Sequence, residues 1–274
     1  MSSELKPLFM DSVKRIVGTE KEVALAISGG KDSATILFAL LELGITPTCY
    51  NFHVEGVASS DYLYAKETCA KMKVNFVDCI IPKQVDVDLV LKLIKNHNRR
   101  NKVEVECYYP YYFLYPKVKE KILLIGYSAA VHVPLTKKAN IHFKNDPVAL
   151  NKWREEYFTV TIANNLKCLN DMAKEYNLKV VDPFYDRNML EWFKLQTWKS
   201  LHTPNQKQVF IDMFPSEYSL INTMKQMSFQ CGDSMIREVF ESMLLDKQLN
   251  TNNRSRMLDL YRDLHDNAKQ SKLL

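Results

Sequence analysis

With 274 residues, of which 46% are hydrophobic and 25% charged, the chain has ample material for a buried core in one large domain or two small ones, which excludes a disordered polymer. A net charge of +5, spread along the chain, suits anionic ligands and leaves nucleic acid open without pointing to it. No run approaches the ~20 apolar residues of a membrane span, no signal-peptide core follows Met1, and the six cysteines form no Cys-x-x-Cys pair, so a cytoplasmic chain without an iron–sulfur or zinc site is expected.

Residues 8–17 have amphipathic spacing and end at Gly18, which predicts a short helix of structural role. Residues 23–27 are an apolar run of strand length, and residues 33–43 have helical spacing. The segment Ser28-Gly29-Gly30-Lys31-Asp32-Ser33 therefore falls on a strand-to-helix connection. Its plain reading is a tight turn ending in an N-cap at Asp32 or Ser33. The sharper reading is an anion site, in which Gly29 and Gly30 take backbone angles closed to other residues, their N–H groups lie bare, and the helix points its positive end at the ligand. It is neither a Walker A loop nor a Gly-x-Gly-x-x-Gly dinucleotide turn.

Further strands are expected at 46–52, 74–77 and 121–125, with helices at 60–72 and 85–95 between them. This alternation predicts an α/β fold with a parallel sheet, in which ligands bind beyond the carboxyl ends of the strands. Ile27, Phe52 and Gly126 should then lie along one nucleotide crevice. Gly126-Tyr127-Ser128-Ala129-Ala130 is a second small-residue turn at a strand end, read either as a plain turn or as another wall of that crevice. The aromatic run 108–115 reads as packing rather than as a base-stacking platform. From residue 146 onward the pattern is helical, at 147–164, 166–176, 189–199, 205–213, 234–245 and 255–269, with only 179–181 extended. No linker or repeat interrupts it. One catalytic unit is expected, with 1–145 as nucleotide-binding core and 146–274 as a helical part completing the site.

The hexapeptide Ser28 to Ser33 resembles the PP-loop of the ATP pyrophosphatase superfamily, which splits ATP into AMP and pyrophosphate on an adenine-nucleotide alpha-hydrolase-like fold. That resemblance implies ATP and Mg²⁺ as cofactors. Loop N–H groups, Ser28 and Ser33 would hold the phosphates, Lys31 would add charge, and Asp32 would reach the metal. Later segments resemble the C-terminal synthetase domain of asparagine synthetases. These are Asp61-Tyr-Leu-Tyr-Ala65, Asn165-Leu166 with Asp171-Met172-Ala173, Val181-Asp-Pro-Phe-Tyr-Asp186, Lys207-Gln-Val-Phe210 with Phe214-Pro215, and Lys225-Gln-Met-Ser-Phe229 with Gly232. The last is similar to a loop that brings a lysine to the acyl phosphate, which makes Lys225 a candidate catalytic residue.

The departures from that pattern also inform. The family's acidic turn corresponds to residues 126–131, where Ala130 and Val131 replace both carboxylates. A tyrosine after the glycine resembles the related β-lactam synthetases, where it acts with a glutamate as a base. Tyr127 is thus either a catalytic residue, with Glu155 or Glu156 as partner, or a packing side chain. The family's glutaminase domain has no counterpart here. The resemblance therefore implies adenylation of a small-molecule carboxylate and amide formation with an amine, with free ammonia, or with ammonia from a separate glutaminase. Two alternatives stand beside it: a PP-loop enzyme modifying a nucleobase in tRNA or DNA, and a degenerate nucleotide binder without turnover. In the first reading, Asp32→Ala should abolish pyrophosphate formation and leave the fold intact.

Overall fold

The structure, a computed structural model, describes residues 2–135, 137–224 and 236–270. Helix α1 (Ser2–Val17) buries Leu5, Phe9, Val13 and Val17, which recur every fourth residue along one face. It begins earlier than expected and runs through Pro7. Leu5 is fully buried, and that burial outweighs the single helical hydrogen bond a proline cannot donate. Gly18, at φ +56°, closes the helix and donates to the Lys14 carbonyl at 2.9 Å.

Strand β1 (Ala24–Ala26) leads through the glycine turn into α2 (Lys31–Glu42), followed by β2 (Thr48–Val54), α3 (Ser60–Met72) and β3 (Asn75–Ile81). Next come α4 (Val87–Asn96), α5 (Lys102–Tyr108), α6 (Tyr111–Leu114) and the fully buried β4 (Ile122–Leu124). The helical half holds α7 (Ala129–His132), α8 (Lys137–His142), α9 (Pro147–Glu156), α10 (Ala163–Ala173) and then the edge strand β5 (Lys179–Val181). It continues with α11 (Arg187–Lys194), α12 (Trp198–His202), α13 (Gln208–Met213) and α14 (Pro215–Tyr218). The spans expected at 147–164 and 166–176 join, because a π-helical stretch, Tyr157–Ile162, carries α9 into α10 without a break. The span expected at 189–199 instead divides. Asp186 caps α11 by accepting from the N–H groups of Asn188 and Met189, and Thr197 caps α12.

The sheet has the order β3-β2-β1-β4-β5, with β1 parallel to both β2 and β4, and β4 parallel to β5. The chain moves outward from β1 to β3 on one side and then returns to place β4 on the other. A topological switch point therefore lies between β1 and β4, where open α/β sheets bind their ligands. Both glycine turns of the sequence leave the sheet there.

The described residues divide into two compact units. One comprises Met1–Asn51, Asp61–Val77 and Val118–Gln226; the other comprises Phe52–Ser60, Asp78–Lys117 and Met227–Leu274. In the first, Leu25 and Leu124 of the sheet and Ile36, Leu37 and Leu40 of α2 share one buried cluster with Met189, Phe193, Phe210 and Phe214. Helices from the second half of the chain thus complete the core that carries the glycine turn. In the second unit, α15 (Ile236–Glu241) and α16 (Met257–Gln270) join α4 and α5. The aromatic run is buried there. Tyr109 lies 5.2 Å from Phe113 and 5.0 Å from Phe240, ring to ring, which is packing rather than an open platform. Burial pushes the thiols of Cys79 and Cys107 up to about 12, so they behave as small hydrophobes. Among the described residues no helix is long and apolar enough to cross a membrane.

Candidate nucleotide site

The turn after β1 is closed by its own hydroxyls. The Ser28 N–H donates to Ser33 Oγ at 2.9 Å, the two serine Oγ atoms lie 3.0 Å apart, and the Gly30 N–H donates to Ser28 Oγ at 3.2 Å. The Gly29 N–H donates to Asp61 Oδ1 at 2.9 Å, and Asn51 ties the turn to β2 by donating to the Ile27 carbonyl at 2.8 Å. The glycine N–H groups are therefore not bare, as expected from sequence, but engaged by the Asp61 carboxylate and the Ser28 hydroxyl. The N-cap of α2 is Gly30, without a side-chain cap, rather than Asp32 or Ser33.

The reason for the glycines also differs from expectation. Gly30 has φ −91° and ψ 162°, which any residue adopts, and neither Gly29 nor Gly30 has positive φ. Space is what requires Gly29: an added Cβ would lie 2.9 Å from Tyr64 Cβ and 3.1 Å from the Asp61 carbonyl oxygen. Gly126 obeys the same rule at the neighbouring strand end, where a Cβ would meet Asp32 Cβ at 3.2 Å and Ser33 N at 3.4 Å. The two turns thus touch at the switch point.

Lys207, at the start of α13, reaches this contact. Its Nζ lies 2.6 Å from both Asp32 oxygens, and its side chain is only 4% exposed. Sequence reading placed Lys207 in a motif but not in the site. Its signal was a lone lysine ahead of an apolar helix, and its partner lies 175 residues away. Lys31 is held below the usual lysine range, first by burial and then by the charge of Lys207. Tyr218 donates to the Lys31 carbonyl at 2.8 Å and meets Thr35 Oγ1 at 2.7 Å, fixing the first turn of α2.

Asp182, just past β5, holds the second turn in place by accepting hydrogen bonds from the N–H groups of Ser128 and, at 2.9 Å, Phe184. Burial is the main cause that pushes its carboxyl up to about 7, and the charge of Asp32 adds to this. His132 donates from Nε2 to the Phe184 carbonyl at 2.7 Å, and His202 accepts from the Lys207 N–H at 3.2 Å. Burial pushes both rings down to about 4. These groups oppose each other in stability. Asp182 binds its proton more tightly folded than unfolded, so its share of stability falls as pH rises from ~4 to ~7. The histidines bind theirs less tightly, so their share is lost as pH falls from ~6.5 to ~4. Asp182→Asn should therefore steepen the rise in stability across that window by about 4 kcal/mol, three pKa units at 1.36 kcal/mol each. Urea unfolding from pH 4 to 7 reads this directly, and parallel profiles for the two proteins would show that Asp182 titrates alike in the folded and unfolded chain.

The remaining expected residues are placed as follows. The Tyr127 hydroxyl accepts from Asn165 Nδ2 at 2.7 Å, while Glu155 is engaged by Arg187 and Lys194. Phe52 belongs to the second unit, where its ring meets Tyr111 edge-on at 5.7 Å. Lys225 lies outside the described residues. Met224, just before it, donates to the Gly29 carbonyl at 2.9 Å. Among the described residues no three His, Cys, Asp or Glu side chains cluster to hold a metal by themselves. The donors present fit a Mg²⁺ that takes Asp32 from the protein and its other oxygens from phosphates and water.

A glycine–serine loop thus lies at the switch point of a parallel sheet, with its two serine hydroxyls 3.0 Å apart and Lys207 paired to its aspartate. The loop resembles the PP-loop of the ATP pyrophosphatase superfamily, and the first part of the chain is similar to the asparagine synthase family. The asparagine synthase family model matches residues 4–129, a little under half of the chain, which includes the first turn and the second as far as Ala129. No curated protein sequence matches. Among solved structures, the chain is similar to a predicted subunit of a tRNA methyltransferase from Methanocaldococcus jannaschii, with 17% identity, coverage of 63% of this chain and 75% of that one, and a TM-score of 0.33. It is also similar to the U34-tRNA thiolase NcsA from Methanococcus maripaludis with its [4Fe-4S] cluster, with 13% identity, coverage of 97% and 80%, and a TM-score of 0.38.

Proposed function

We propose that the chain binds ATP at Ser28 to Ser33 and uses it to adenylate a carboxylate or amide oxygen, after which ammonia or an amine displaces AMP to form an amide from the former or an amidine from the latter. The observation that carries this reading is the contact of the two turns, which sets Gly126 against Asp32 and Ser33. In this reading the serine hydroxyls and loop N–H groups turn from each other to the phosphates, and Ile27 and Gly126 offer backbone to the adenine. The substrate oxygen attacks the α-phosphorus and pyrophosphate leaves. Lys31 and Lys207 face the charge that develops on it, and Lys225 is the candidate that closes over it. Mg²⁺ at Asp32 would supply further neutralisation of phosphate charge. In this reading Tyr127, with its hydroxyl hydrogen-bonded by the Asn165 amide, is the candidate that would meet the incoming amine.

The test is pyrophosphate and AMP release from ATP across a panel of small carboxylic acids and amides, each with ammonia or an amine. Release that requires both an acid and an amine is the expected result. ATP binding with no release under any pair would instead leave a nucleotide binder without turnover. Retention of tRNA or DNA with steep salt dependence would move the reading to nucleobase modification.

A further inference from the structure

We propose that Lys207 is the resident cation of Asp32, and that a divalent metal reaches this carboxylate only together with nucleotide, whose phosphates draw the lysine away. The inference rests on the reading above, in which Asp32 is the metal ligand. Both oxygens of Asp32 are within 2.6 Å of Lys207 Nζ, so neither is open on that side. A metal on either oxygen would sit at about 2.1 Å from it, within a few ångströms of the ammonium. Two like charges at that distance in a part-buried site repel strongly.

The backbone of Lys207 is tied to its neighbour in α12. It holds a left-handed conformation, φ 57°, at the start of α13, and its N–H donates to His202 Nδ1 at 3.2 Å. The side chain is the part that moves. Lys31 precedes Asp32 in the loop and Lys207 contacts it, so two lysines stand by this carboxylate. A metal arriving alone would be a third cation in that cluster. ATP reverses the balance by bringing several negative charges, to which both lysines and the metal can turn. Ala130 and Val131 supply no carboxylate to recruit the ion independently.

Mn²⁺ alone is the probe, followed by electron paramagnetic resonance of the free ion without nucleotide. The wild-type protein should bind it weakly. Lys207→Met, and independently Lys207→Gln, should bind it at least tenfold more tightly, and adding Asp32→Asn should abolish the gain. Circular dichroism confirms that each variant is folded. Tight Mn²⁺ binding by the wild-type protein alone overturns the proposal, as does a folded Lys207 variant with no gain. Calorimetry with α,β-methylene-ATP in the presence of Mg²⁺ separates the two readings. If the analogue does not bind, the nucleotide reading fails; if it binds while wild-type protein alone takes Mn²⁺ tightly, only the role of Lys207 fails.

Discussion

Asp32→Ala is expected to abolish pyrophosphate formation and, in the same protein, to lower folding stability by about 3–5 kcal/mol. The sequence alone suggests only the first effect. The second follows from Lys207, whose side chain is 4% exposed and whose Nζ contacts both oxygens of Asp32. Removing the carboxylate leaves an ammonium buried without its counter-charge, which costs more than the ion pair itself contributes. A double variant separates the two effects. Asp32→Ala with Lys207→Met removes both charges and fills the space with apolar atoms, an exchange that is often neutral or stabilising, so stability should return while activity does not. Urea unfolding of the three proteins beside the pyrophosphate assay provides both readouts. A single variant as stable as the wild type would mean that the pair is not maintained in the folded protein.

The contrast between these effects shows what a linear reading reaches. The order of residues 23–43 places the hexapeptide at the passage from strand to helix, because apolar runs of strand and helix length flank it, and in the structure its second half, Lys31 to Ser33, forms the first turn of α2. Local capping is only partly legible: Asp86, Asp146 and Asp186 each accept from an N–H of the helix they precede, but α2 is capped by Gly30 and not by Asp32 or Ser33. What the sequence conceals are partners distant along the chain. Nothing near Lys207 names Asp32, and nothing near Asp61 says that it takes the Gly29 N–H. Asp182 reads as part of a motif, yet its burial comes from the turn after β4, which it binds through the Ser128 N–H. Pro7 misleads in the opposite direction, because its local penalty is visible and the burial of Leu5 is not. The π-helical stretch that joins α9 to α10 leaves the apolar spacing close to helical, so a break was inferred where the chain only widens its turn.

Gly29→Ala should have the second largest effect, and Gly30→Ala separates its causes. A Cβ on Gly29 would lie 2.9 Å from Tyr64 Cβ, 3.0 Å from Met224 Sδ and 3.1 Å from the Asp61 carbonyl oxygen. The thioether can swing aside, but Tyr64 Cβ and the Asp61 carbonyl belong to the first turns of α3 and cannot. The loop must therefore retreat from α3. That retreat stretches the Gly29 N–H bond to Asp61, at 2.9 Å, and the Met224 N–H bond to the Gly29 carbonyl, also at 2.9 Å. Two hydrogen bonds at about 1 kcal/mol each, with about 1–3 kcal/mol of overpacking, give an expected loss of roughly 3–5 kcal/mol in stability. A Cβ on Gly30 would meet only Ser28 Oγ, at 3.3 Å, so its stability cost should be under about 1 kcal/mol. It would nevertheless crowd the hydroxyl assigned to the phosphates. Gly30→Ala should thus stay folded and lose ATP affinity, whereas Gly29→Ala should lose both, as read by urea unfolding and calorimetric titration with ATP. A Gly30→Ala protein that binds ATP as tightly as the wild type would remove Ser28 from the phosphate site, and with it the assignment of this loop to the nucleotide.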